Sequence, residues 1–353
     1  MFLNRLKPII ILPVLCVVLL LGIITSLSTG AVDITLQELF SWVVAVIADN
    51  PGISESKSLI IEHIRLPRLI LVLVVGSALG ISGAAIQGLF RNPLADPALI
   101  GVSGGAALGA VSTIVLLPVG SLLVGYIEWI KITMAFFGSL MATVLVFYIG
   151  YSASRKTESN RFSVVIVLLV GIAFNALAGA IISMLTYIAD DLSLRELTFW
   201  MMGSFSGVGW EEVYFVAPAV IFAITGLCLI SRSLNVLLLG DIEAEHLGIN
   251  VKQLQIFTLL LVALAVGASV SVVGMVGFVG LIVPHVLRLL LGPNMNWLLP
   301  GAAVGGATLL VYADWVSRSI LSPAELPIGI LTALLGAPFF LALLMSRKYG
   351  VRP

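Results

Sequence analysis

The sequence predicts an all-α polytopic membrane protein of about ten transmembrane helices with both termini cytoplasmic. Three observations carry that prediction. Hydrophobic residues make up 60% of the chain and charged residues only 10%, against roughly 25% charged in soluble domains. The mean hydropathy is +1.16. The apolar residues gather in runs near the length of about 20 residues that crosses a hydrocarbon core. That composition excludes an ordinary cytosolic enzyme, and the balance of 18 basic with 18 acidic residues and no basic tail excludes a disordered chain and a nucleic-acid binder. Cys16 and Cys228 both lie in apolar runs, so there is neither a disulfide framework nor zinc spacing.

Charge, proline and glycine mark the runs off at 8–28, 66–89, 98–118, 129–150, 162–188, 211–230, 256–273, 276–291, 298–320 and 327–346. The first follows Arg5 and Lys7 as a signal peptide would, but its apolar stretch from Ile9 to Leu27 is too long for one and no A-x-A site follows, so it reads as a retained span. The run at 276–291 is short and reads as partly buried in protein. With the N-terminus inside, Arg5, Lys7, Arg91, Arg155, Lys156, Arg161, Arg232, Lys252, Arg288, Arg347, Lys348 and Arg352 are cytoplasmic. Lys57, Arg65, Arg68, Lys131, Arg195 and Arg318 are outside. The excess of 12 over 6 obeys the positive-inside rule.

Two outer segments read as short helices. Thr35-Leu-Gln-Glu38 and Ser193-Leu-Arg-Glu196 both have the capping-box form ahead of apolar residues. Each is expected to lie at the outer interface with Trp42 or Trp200 at headgroup level. Glycines at Gly76/Gly80, Gly105/Gly109 and Gly301/Gly305 are spaced for close helix packing. Leu73, Gly76, Gly83, Pro93 and Gly101 recur 191 residues later as Leu264, Gly267, Gly274, Pro284 and Gly292. That shift moves the chain by five spans and suggests an inverted repeat, roughly 1–190 and 211–353.

Catalytic and nucleotide-binding signatures are missing. There is no P-loop, dinucleotide fingerprint or H-E-x-x-H, and Gly101-Val-Ser-Gly-Gly105 opens an apolar span without the preceding strand a glycine loop or nucleophile elbow needs, so its glycines read as helix-packing positions. His63, His246 and His285 stand far apart in sequence. Intramembrane charge is also sparse. Asp314 is placed to pair with Arg318 one turn on, and 162–188 holds no charge, with Asn175, Ser183 and Thr186 among its few polar groups. A proton-driven carrier is expected to keep a carboxylate or histidine there. The cytoplasmic connection 231–255 contains Gly240 and Gly248 bracketing a short polar helix, a knob shaped for a cytoplasmic partner. A transporter driven by a separate ATPase accounts for both features. An ion-coupled secondary carrier and a non-transporting receptor are the alternatives from other classes.

Longer motifs then carry a family likeness. Arg65-Leu-Pro-Arg68, Gly83-Ala-Ala-Ile-Gln-Gly-Leu-Phe-Arg-Asn-Pro-Leu-Ala-Asp-Pro97 and Gly277-Phe-Val-Gly-Leu-Ile-Val-Pro-His-Val-Leu-Arg288 run in that order. Leu299-Pro-Gly301, Ala324-Glu-Leu-Pro-Ile-Gly329 and Leu335-Gly-Ala-Pro-Phe-Phe340 follow. Across nearly the whole chain the sequence resembles the permease subunits of FecCD-type ABC importers for iron-siderophores, haem and cobalamin.

The resemblance implies one transmembrane permease domain over 1–353 with the cobalamin-permease-like type II importer fold. It implies a homodimer in the bacterial inner membrane, two ABC ATPase subunits inside and a periplasmic substrate-binding protein outside. No cofactor or metal is expected on this chain, ATP and Mg being used by the ATPase. No nucleic acid is expected as a partner, and lipid is. Arg65, Arg68 and Arg318 match the family's docking positions for the binding protein. Leu168, Ile172, Asn175, Ser183 and Met184 match its pathway-lining helix. Gly240, Glu243, Ala244, Leu247 and Gly248 match its ATPase-coupling segment, although Glu243 to Gly248 is one residue shorter than the broader E-A-A-x-x-x-G pattern. The stretches 90–105 and 239–246 most resemble haem permeases, with ferric siderophore and then cobalamin as alternative cargoes. Met184, His63 and His285 are axial-ligand candidates by residue type alone.

Overall fold

A computed structural model describes residues 8–30, 32–48, 54–117, 124–154, 164–321 and 324–348. Among them lie fifteen α-helices and no strand. In order these are α1 (Pro8–Ser28), α2 (Leu36–Ala48), α3 (Glu55–Ile60), α4 (Leu66–Leu89), α5 (Val102–Leu116), α6 (Ile127–Ser154), α7 (Val164–Ile188) and α8 (Asp191–Met202). There follow α9 (Trp210–Leu229), α10 (Ser231–Leu237), α11 (Asp241–His246), α12 (Val251–Val273), α13 (Val279–Leu291), α14 (Met295–Ile320) and α15 (Ile328–Lys348). A π-helical turn at Ile61–Arg65 joins α3 to α4 without a break.

Each of the ten apolar runs is helical over most of its length. Seven are long and apolar enough to cross a membrane, α4 doing so together with α3. The apolar stretches of α5, α13 and α15 are shorter. Two predicted boundaries move for backbone reasons. The run at 98–118 becomes α5 only at Val102, because Pro97–Ile100 is a 3-10 turn closed by Gly101 at φ +87. The run at 276–291 becomes helical only at Val279, after Gly274 at φ +78 and Phe278 at φ +66. The connection 231–255 is itself helical, holding α10, α11 and the first turns of α12.

α4 and α12 form the centre, with 78% and 72% of their most apolar windows buried, whereas α1 and α7 have 17%. Lipid tails are as apolar as leucine, so what seats a helix centrally is close backbone approach. On α4, a Cβ at Gly80 would collide with the Ala302 carbonyl oxygen of α14, and one at Gly83 with the Gly280 carbonyl of α13. On α5, Gly105 and Gly109 meet the Gly138 and Met134 carbonyls of α6 in the same way. Gly301 and Gly305 face side chains of α13 and α1 instead.

One buried polar group holds the short α13 in place. Pro284 cannot donate to the Gly280 carbonyl one turn back, which leaves that oxygen without its helical partner. Gln87 of α4, fully buried, donates through Nε2 to the Gly280 and Leu281 carbonyls at 3.3 and 3.4 Å. Its Oε1 accepts from Arg288 Nη2 at 3.2 Å. Gln87→Leu strips both sides at once. It is expected to cost about 1–3 kcal/mol, measured as a lower midpoint of thermal unfolding in detergent. A midpoint equal to wild type would mean that α13 does not need this clamp.

Candidate functional site

Three groups of residues stand out, one at each end of the bundle and one along α7. At the end where α1 and α14 finish and α4 begins, the three predicted docking arginines come together. Asp314 links two of them. Arg68 donates to its Oδ1 from Nη2 (2.9 Å) and Nε (3.1 Å), and Arg318 donates from Nε to its Oδ2 at 3.1 Å. The expected pairing of Asp314 with Arg318 is therefore present. Arg68 also holds Glu325 Oε1 at 2.8 Å, and Arg318 reaches Ser26 Oγ at 2.8 Å. Arg65 donates to the carbonyls of Leu27 and Val32. The Asp314 side chain is only 3% exposed and those of Arg68 and Arg318 12% each. The cluster ties α1, α4 and α14 together, with Asp314 and Glu325 against Arg68 and Arg318, and Asp33 near Arg65.

The adjoining outer helices differ in their caps. At α2, Thr35 N–H donates to Glu38 Oε2 (2.9 Å) and Glu38 N–H to Thr35 Oγ1 (3.3 Å), the capping box read from sequence. The Lys57 ammonium at 2.6 Å from Oε1, followed by the Thr35 amide, pulls the Glu38 pKa down to about 2. Its contribution is thus present above the ordinary carboxylate range and is lost as pH falls toward about 2. At α8 the expected Ser193 box is not formed. The helix starts earlier, and Asp190 is its cap, accepting from the Ser193 amide at 2.8 Å. Ser193 Oγ instead donates to the Ile114 carbonyl, and Glu196 binds Lys131 of α6 at 2.8 Å. The tryptophans also turn inward. Trp42 donates to Glu62 at 3.0 Å and Trp200 is buried, leaving Phe40 and Phe199 as the exposed rings.

Along α7 a narrow stripe of Val167, Gly171, Ala178 and Leu185 is buried. A Cβ on Gly171 would strike the Leu99 carbonyl oxygen, which is why that helix can lie on the 3-10 turn. The predicted pathway residues divide. Ile172, Ser183 and Met184 are on the open side, whereas Leu168 packs against the core. Asn175 is half-buried and donates from Nδ2 to the Ala98 carbonyl at 3.0 Å. The open side continues through Val165, Leu169, Leu177, Ile181 and Ile188 as one apolar surface.

At the opposite end, Gly240 (φ +135) and Gly248 (φ +83) bracket α11. Ala244 is buried and Leu247 is 63% exposed, beside exposed Leu239 and Ile242. α10 anchors this knob by burying Leu234 and Leu237. Asn235 Oδ1 accepts from the Met295 amide at 2.7 Å and its Nδ2 donates to Asn294 Oδ1 at 3.0 Å. Neither α10 nor this asparagine pair is foreseen from sequence; the polar Asn235 in an otherwise apolar run is the signal that was available. Among the described residues no group of three or more His, Cys, Asp or Glu is placed to hold a metal. His63 is on the exposed outer segment, and His285 sits edge-on to the Phe339 ring at 6.0 Å.

The chain is similar to known transport proteins over nearly its whole length. The model of the FecCD transport family matches residues 18–346. A hemin transport system permease protein of Yersinia pestis is 42% identical over 349 residues, covering 98% of either chain. A vitamin B12 import system permease protein of Vibrio vulnificus is 36% identical, covering 91% of this chain and 93% of its own length. A solved metal-chelate type ABC transporter chain in an inward-facing conformation superposes with a TM-score of 0.82 at 33% identity, covering 96% of this chain and all of the other.

Proposed function

This chain belongs to the FecCD transport family, and we propose that its cargo is haem. It is a membrane permease subunit of a type II ABC importer and works with ATPase and binding-protein partners, ATP hydrolysis residing in a separate chain. The proposed assembly is a homodimer in the bacterial inner membrane, with the open apolar side of α7 facing the shared pathway. The observation that carries the cargo assignment is the 42% identity to a hemin permease along the full length of both chains. The absence of charge in α7 suits a large chelate of any of the three cargo classes, haem, ferric siderophore or cobalamin, which passes such a lining without being held. The arginines of the outer cluster are proposed to meet acidic residues of the binding protein, a contact that weakens with salt. Leu239, Ile242 and Leu247 on the inner knob are proposed to seat in the ATPase.

The cargo is tested by reconstituting the chain with its ATPase and binding protein in liposomes. Hemin, a ferric siderophore and cobalamin are offered in turn on the outer side. ATP-dependent accumulation of hemin, at least tenfold above the other two, is expected. Accumulation of cobalamin or the siderophore without hemin would replace the cargo assignment.

A further inference from the structure

Two helices at the inner end finish with the same hydrogen-bond pattern but a different residue at its left-handed position. After α11, the Ile249 amide donates to the Ala244 carbonyl (3.0 Å) and the Gly248 amide to the Glu245 carbonyl (2.9 Å). That is the Schellman arrangement, with glycine where the backbone turns left-handed. After α4, the Asn92 amide donates to the Gln87 carbonyl (3.1 Å) and the Arg91 amide to the Gly88 carbonyl (3.2 Å). Here the left-handed residue is Arg91, at φ +50. A residue with a Cβ is disfavoured in that conformation and glycine is not. The side chain therefore has a use that the cap itself does not require.

Its guanidinium supplies one. Arg91 Nη2 donates to Asp241 Oδ1 at 2.8 Å, and Asp241 is the first residue of α11. The two side chains are 38% and 24% exposed, so the pair adds little to stability. It ties the start of α11 to the turn that ends α4. One turn before Arg91, in the last turn of α4, Gln87 holds the Gly280 and Leu281 carbonyls of α13. A continuous run of polar contacts thus leads from α11 through the inner end of α4 to α13.

We propose that the Arg91–Asp241 ion pair passes displacement of α11 to the inner end of α4 and, through Gln87, to α13. The proposal rests on residues 240–248 being the ATPase contact. Arg91 and Asp241 act as positioning residues and touch neither cargo nor nucleotide. Uptake per ATP hydrolysed is measured in liposomes holding the complete importer, with whichever of hemin, ferric siderophore or cobalamin the wild type accumulates. Arg91→Gly places the favoured residue in the cap, so its thermal midpoint and bound ATPase are expected to equal wild type. Its uptake per ATP is expected to fall fivefold or more. Asp241→Asn should fall similarly, the double variant no further than either single one, and Arg91→Lys should keep at least half the wild-type ratio. A wild-type ratio in Arg91→Gly, or losses that multiply in the double variant, would overturn the tie. ATPase that stays bound to Leu247→Glu would overturn the contact assignment and the proposal with it.

Discussion

Replacing Asp314 by alanine is expected to destabilise the folded chain by about 3–5 kcal/mol, the scale for removing one partner from a buried ion pair. The carboxylate is almost wholly buried and accepts from both Arg68 and Arg318. Its removal leaves two guanidinium groups with Glu325, Ser26 and the Thr29 carbonyl as remaining partners. Asp314→Asn keeps the shape but loses the charge, and most of the same loss should appear. Thermal unfolding in detergent measures both variants. A loss under about 1 kcal/mol would place the cluster among surface pairs screened by water. The prediction also bears on docking, because reversing these arginines disturbs the seam between α1, α4 and α14 as well as any contact outside.

Leu247→Glu is expected to release the ATPase while leaving the chain itself unaltered. Leu247 projects from the end of α11 with most of its surface open, so nothing in the fold depends on it. Charging an apolar anchor inside an interface costs about 2–4 kcal/mol, roughly thirty- to several-hundred-fold in affinity. Co-purification of the ATPase with tagged chain reads this loss, and an unchanged thermal midpoint confirms that the fold is intact. Full ATPase retention would move the inner contact away from α11.

What sequence made legible was mostly local. Hydropathy located the cores of the ten apolar runs, and four-residue spacing foretold Asp314 with Arg318. The bracketing glycines foretold α11, and small residues foretold close helix packing at Gly76, Gly80, Gly105 and Gly109 without saying which helix each would meet. Hydropathy did not separate the central α4 and α12 from the exposed α1 and α7, because a leucine facing lipid and one facing protein read alike. The Ser193 cap failed for a related reason. Asp190 also suits a helix start, and tertiary partners for Ser193 and Glu196 decided between them. The long-range contacts escaped altogether. Arg68 and Asp314 are 246 residues apart, and the need for Gln87 arises only where Pro284 faces it from another helix.

The central claim is that a separate ATPase, rather than an ion gradient, drives transport through this chain. It is tested most directly by comparing hemin uptake into liposomes holding the chain alone under an imposed proton or sodium gradient with uptake into liposomes holding the chain, its ATPase, binding protein and ATP. Accumulation only in the second set is predicted. Accumulation by the chain alone on a gradient would contradict the claim and make it a secondary carrier.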